Sequence, residues 1–256
     1  MIKNMQVLSV ISRLLDYPDE SLFEYKADII GLIQTSDLPA SQREKLLQFV
    51  ESKLSQNLLD WQADYDALFE RGRSLGLWLF EHVHGESRDR GQAMVDLTAK
   101  YKEAGLQISE HQLPDYIPMF LEFLSTQGAD NAREWLLDVE HILALLQCRL
   151  ERRESDYAIL FDSLLVLANS RVDLKSLRSQ VAGEKRDDSK KAIDKEWEEE
   201  EVTFGADSLD AAAKNSTTNG CGGTRRPSES QRKDLDVPLN WVGFNEAQPM
   251  LEGVAK

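Results

Sequence analysis

The densest run of side chains able to do chemistry is Glu81-His82-Val83-His84-Gly85-Glu86-Ser87-Arg88-Asp89-Arg90, which offers imidazoles, carboxylates and guanidinium groups within one short segment. On a helix His82 and His84 face different ways, whereas Glu81 with His84, and His82 with Glu86, share a face. Glu81-x-x-His84 has the spacing by which helical bundles hold paired iron or manganese ions, and Asp138-x-x-His141 is an imperfect second copy. A di-metal carboxylate site would need two further inward carboxylates from other helices, and Asp is one methylene shorter than the customary Glu. The competing role is structural: Glu81, Arg88, Asp89 and Arg90 can pair to fix a corner between two helices without any additional ligand.

Other chemistries find less to stand on. The glycines of Glu70-Arg71-Gly72-Arg73-Ser74-Leu75-Gly76 follow no strand and match neither phosphate-binding spacing, so a nucleotide site is not supported. No Gly-x-Ser-x-Gly elbow is present, and His111 near Asp115 reads as well as a loop hydrogen bond. Cys148 and Cys221 lie far apart with no zinc-ligand spacing around either. The net charge of -15 argues against a general nucleic-acid surface, which needs clustered cations, and fits a basic protein or peptide partner better. Residues 1–20 carry spaced apolar residues interrupted by Arg13 and Asp16, so no export signal is expected, and no stretch approaches the roughly 18 uninterrupted apolar residues of a membrane span. A cytoplasmic protein is expected, acting by binding rather than turnover.

The elements that must position these groups all read as helices. Val7, Val10/Ile11 and Leu14/Leu15 form a stripe stopped by Asp16-Tyr17-Pro18. A second, Leu22/Phe23, Lys26, Ile29/Ile30 and Ile33, ends before Pro39, with the Lys26 stem expected to cover apolar surface. A third helix is expected from about Ser41, and a fourth carries Leu58, Trp61, Tyr65 and Leu68/Phe69. Ser87 is the expected N-cap of a helix that Gly105 ends, and residues 106–114 break into a loop. Helical spacing resumes through Ile117, Phe120/Leu121 and Leu124, then Trp135/Leu136 to Leu146, then Tyr157 to Leu167. The spacing predicts an all-α, compact helical bundle over residues 1–180, a charged peripheral helix over 181–204 and a disordered tail over 205–256, where apolar area is too scarce to offset ordering. Most of the aromatic residues Trp61, Tyr65, Phe69, Trp78, Phe80, Tyr116, Phe120 and Phe123 should be core. The rest can line an apolar trough between helices, with an acidic rim suited to basic residues on a partner helix.

Two segments carry a family likeness. Tyr65-Asp66-Ala67-Leu68-Phe69 resembles the Y-x-x-L-F element, and Leu113-Pro114-Asp115-Tyr116-Ile117 the P-D-[HY]-[IL] helix start, of the TorD/DmsD/NarJ redox-enzyme maturation chaperones. Phe69–Arg73, Leu79–Leu97 and Trp197–Glu200 resemble the nitrate reductase delta subunit in particular, and the likeness runs from about residue 5 to 204. It implies an all-helical chaperone that binds the apo catalytic alpha subunit, including its N-terminal peptide, holds it ready for molybdenum-cofactor insertion, delays membrane docking, holds no tightly bound cofactor of its own and is absent from the finished enzyme. Contact with cofactor-delivery proteins is a further implied partnership. Tyr65, Phe69, Pro114, Asp115 and Tyr116 sit on family motif positions and are carried over as candidates for the peptide groove or its hinge. Arg71, Arg73, Phe80, His82, His84, Glu86, Arg88, Asp89 and Phe120 join them as candidates for client contact.

Overall fold

The computed structural model describes residues 5–84, 88–109, 112–192 and 194. Glu86, the Ser87 cap, His111, the Trp197–Val202 stretch and the 205–256 tail lie outside the described residues, as do the side chains of His84, Arg88 and Asp89. Among the described residues the regular structure is helical, and the one extended pairing is an isolated bridge between Trp78 and Tyr116.

Helix α1 (Val7–Leu15) buries Val7, Leu8, Val10, Ile11, Leu14 and Leu15, and Asp16 leaves the helix in an extended conformation. The second stripe is two helices rather than one: α2 (Ser21–Glu24) and α3 (Lys26–Gln34) meet at Tyr25, whose ψ of 19° takes the chain out of the helical region. Lys26 itself is exposed. Next come α4 (Ala40–Leu54) and α5 (Leu58–Tyr65), the latter capped by the Asn57 side chain accepting from the Leu59 N–H. A π-turn over Asp66–Glu70 extends α5 and carries Phe69 inward.

Short α6 (Glu81–His84) precedes α7 (Arg88–Glu103), which ends near Gly105 at φ +79°. Pro118 opens α8 (Ile117–Thr126), where its missing N–H costs no helical bond. The stripe from Trp135 to Leu146 also proves to be two helices, α9 (Ala129–Asp138) and α10 (Glu140–Arg152), broken at Val139. Helix α11 (Ala158–Ala168) ends on left-handed Asn169, and α12 (Leu174–Gly183) starts from Asp173, whose side chain caps it.

Three packings organise the body. Helix α1 lies chiefly along α8, where the buried Ser12 hydroxyl donates to the Pro118 carbonyl at 2.6 Å; α10 packs against α11 and α12; and α11 reaches α4 and α9. Between them Trp61 Nε1 donates to the Tyr157 hydroxyl at 2.7 Å, satisfying both polar ends within an apolar interior. Helix α12 runs past residue 180 to Gly183, and Glu184–Asp188 then returns onto α10 and the loop at Ser74.

Candidate peptide-binding trough

The site is built on a seam between two distant segments. Leu75, Leu77 and Leu79 are buried, and the chain between them bridges to Tyr116 at Trp78. The Leu79 N–H donates to the Asp115 carbonyl at 2.9 Å and the Ile117 N–H to the Leu77 carbonyl at 2.8 Å, which places the Trp78 and Tyr116 rings 5.9 Å apart. Asp115 is fully buried at this seam. One carboxylate oxygen accepts from the Phe80 N–H at 3.2 Å and lies 3.6 Å from the Arg90 guanidinium; the other, and Arg90 Nε, have no hydrogen-bond partner among the described residues.

Burial therefore raises the Asp115 carboxyl above its ordinary value, against the lowering effects of the Phe80 N–H and Arg90. A folded state that holds this proton more tightly than the unfolded chain loses stability as pH rises from the ordinary carboxylate range through the raised value. Asp115→Asn should remove that decline. Urea unfolding midpoints measured from acidic to neutral pH should show the wild type falling relative to the variant, and parallel profiles would refute the assignment.

Next to the seam opens a trough of about 180 Å³. Its walls are the C-terminal turn of α1 with Asp16, the first turns of α8, and the end of α7 with the loop that follows. Met119, Phe123, Leu106 and Ile108 supply its apolar surface, while Arg13, Asp16 and Glu122 supply its polar part. The Tyr116 hydroxyl donates to Asp16 at 3.0 Å, and burial raises that phenol above its ordinary value, so it remains a donor at neutral pH. Tyr101 braces the other wall: its hydroxyl donates to the Pro114 carbonyl at 2.8 Å and its ring lies 4.8 Å from Phe123. Arg13 is 3.7 Å from Asp16 and 3.2 Å from Asp19, leaving carboxylates in excess around the opening. Such a space accepts one or two apolar side chains of a partner segment, flanked by a cation.

Of the described candidates named from the sequence, Tyr116 alone lines this trough. Tyr65, Phe69 and Phe120 are each 2% exposed, and Pro114 and Asp115 are buried as well, so none presents a surface to a partner. Tyr65 donates to the Leu15 carbonyl at 2.8 Å, and Phe69 lies between Tyr65 and Tyr157, with ring centroids 4.8 and 5.1 Å away. Phe120 packs edge-on against Trp135.

Arg71 and Arg73 are exposed and Phe80 is half-buried. Arg73 and His82 line a second cavity of about 540 Å³ with Ser74, Glu81, Arg90 and Arg149. There His82 Nε2 is 2.8 Å from the Gly76 carbonyl, and burial lowers the imidazole pKa. The trough residues missed from sequence include Ser12, Arg13, Asp16, Leu106, Met119 and Glu122; the available signal was that Met119 and Glu122 lie off the buried stripe of α8. The second half of the metal motif is not one helical face, because Asp138 and His141 are exposed on either side of the Val139 break. No group of three or more possible metal ligands occurs among the described residues.

Comparison with known proteins adds a pattern at larger scale. Residues 36–162 match the family model of the nitrate reductase delta subunit. The chain is 48% identical over 201 residues to the nitrate reductase molybdenum cofactor assembly chaperone NarJ of Escherichia coli K12, covering 78% of this chain and 85% of the relative. It is 50% identical over 207 residues to a protein of the same strain named as a probable nitrate reductase molybdenum cofactor assembly chaperone, NarW, covering 81% and 87% respectively. A crystal structure of an Archaeoglobus fulgidus protein assigned to redox enzyme maturation is 20% identical with a TM-score of 0.41, over 70% of this chain and 93% of that one.

Proposed function

The chain belongs to the nitrate reductase delta subunit family, and from that premise we propose that it is a non-catalytic assembly chaperone for the molybdenum-cofactor subunit of a respiratory nitrate reductase. The observation that carries this reading is near 50% identity, over most of the chain, to relatives named for that task. The trough gives it a physical means. An N-terminal peptide of the catalytic alpha subunit would set apolar side chains against Met119, Phe123 and Leu106, while Asp16 and Glu122 attract basic residues on the same peptide. Net charge of -15 steers a basic segment toward the chaperone from a distance.

The work done is linkage rather than turnover. A chaperone that binds the apo subunit raises the population of that state, by about 2.7 kcal/mol when free chaperone stands a hundredfold above Kd. The catalytic subunit is thereby held open for cofactor insertion by the delivery machinery, and membrane assembly waits. Folding around the inserted cofactor then withdraws the bound segment, and the chaperone leaves. The working compartment is the cytoplasm; among the described residues no helix is long and apolar enough to cross a membrane.

Calorimetric titration of the full chain with a synthetic peptide covering the N-terminus of the catalytic subunit should show specific one-to-one binding, absent with a scrambled peptide. Silence across pH and salt would overturn the peptide reading. Failure to capture the apo catalytic subunit itself would overturn the chaperone reading.

A further inference from the structure

The segment Glu184–Asp188 crosses the loop that leads to the trough and is held there by three arginines at the C-terminal end of α10, Arg149 and Arg152 within the helix and Arg153 just past it. Arg149 clasps Glu184 through Nε and Nη2, each at 2.9 Å, and its Nη1 donates to the Ser74 carbonyl at 2.9 Å. Arg152 donates to the carbonyls of Val181 and Glu184. Arg153 donates to Asp187 at 2.9 Å and to the Ser74 hydroxyl at 2.7 Å, and lies 3.4 Å from Asp188. Asp187 in turn accepts from both the N–H and the hydroxyl of Ser74, each at 2.7 Å. The Arg153 side chain is 9% exposed, which places its ion pairs outside the weak, screened surface class. Gly72 makes the approach possible: its φ is +149°, and a Cβ there would stand 2.8 Å from the Asp187 carboxylate.

The loop clasped at Ser74 continues three residues later into the Leu77–Leu79 seam, and the seam holds Asp115 to Ile117. Tyr116, at the centre of that pairing, reaches into the trough and closes on Asp16. A continuous path of hydrogen bonds and backbone thus joins strap to trough. With Tyr116 held inward the trough's volume of about 180 Å³ suits one or two side chains, and an outward shift of that wall would let it take more of a partner segment.

We propose that the Glu184–Asp188 strap is a clasp thermodynamically coupled to the trough: closed, it holds the Tyr116 wall inward and opposes peptide binding, and an occupied trough opens it. This rests on the trough being the peptide site. Reciprocity requires that each event shift the other by the same factor, typically about fivefold or more. Loosening the clasp from either side, by Asp187→Asn or by Gly72→Ala, should therefore tighten the N-terminal peptide of the nitrate reductase catalytic subunit at least about fivefold.

In the unaltered full chain, saturating peptide should speed hydrogen exchange of the Ser74 amide, whose acceptor is on the strap. Peptide binding with the same Kd in both variants, or with Ser74 exchange unchanged, overturns the coupling and leaves the trough assignment standing. Absence of any peptide binding by the unaltered chain overturns both.

Discussion

Met119→Glu is expected to abolish peptide capture by a chain that still folds. Met119 is half-buried at the trough, packed against the core on one side and open on the other. Its unbranched thioether adapts to whatever apolar side chain arrives. A carboxylate in its place remains solvated in the free protein but would be buried beneath the partner's apolar face, where an unpaired charge costs several kcal/mol. A loss of at least about 100-fold in affinity follows, corresponding to about 2.7 kcal/mol. Thermal stability should move by only a few degrees, since a partly exposed substitution leaves the buried stripe of α8 in place. Met119→Leu, which conserves volume, should retain binding. Calorimetry beside thermal unfolding checks both; unchanged affinity in Met119→Glu would send the peptide elsewhere, first to the cavity around Arg73 and His82.

Phe69→Ala should act in the opposite sense, on folding before binding. Phe69 is 2% exposed and its ring sits between Tyr65 and Tyr157. Removing it leaves a cavity in a close-packed aromatic cluster, at a cost of roughly 3–5 kcal/mol. That is a large part of the 5–15 kcal/mol typical of a whole domain. Peptide capacity should fall with the folded fraction, while the Kd of the molecules that remain folded stays near that of wild type. Chemical denaturation combined with the binding stoichiometry separates the two; a weaker Kd at full folding would instead bring the Y-x-x-L-F segment into contact with the client.

These two residues show how far the sequence could be read. Helical spacing correctly marked α1, α4, α8 and α11, because one apolar stripe per helix follows directly from burial on one side. The same spacing ran through Tyr25 and Val139 without showing that the chain breaks there, since a break that preserves the inward direction leaves the pattern intact. Phe69 and Met119 illustrate the harder limit. An aromatic residue at helical spacing looks the same whether it faces a core or a groove, and the trough wall comes from a loop after α7 whose position is set by Tyr101 meeting Pro114.

The pairing of α1 with α8 bears on how the chain comes into being. The strongly apolar face of α1 has its main partner in a helix that ends at Thr126, so it cannot be covered until more than a hundred further residues have been made. At synthesis rates of roughly 5–20 residues per second that interval is on the order of 10 s, during which the face is open to wrong partners. Contacts so distant in sequence also slow folding relative to a bundle of neighbouring helices. A protein that shields another's unfinished state thus spends its own first seconds needing the same protection.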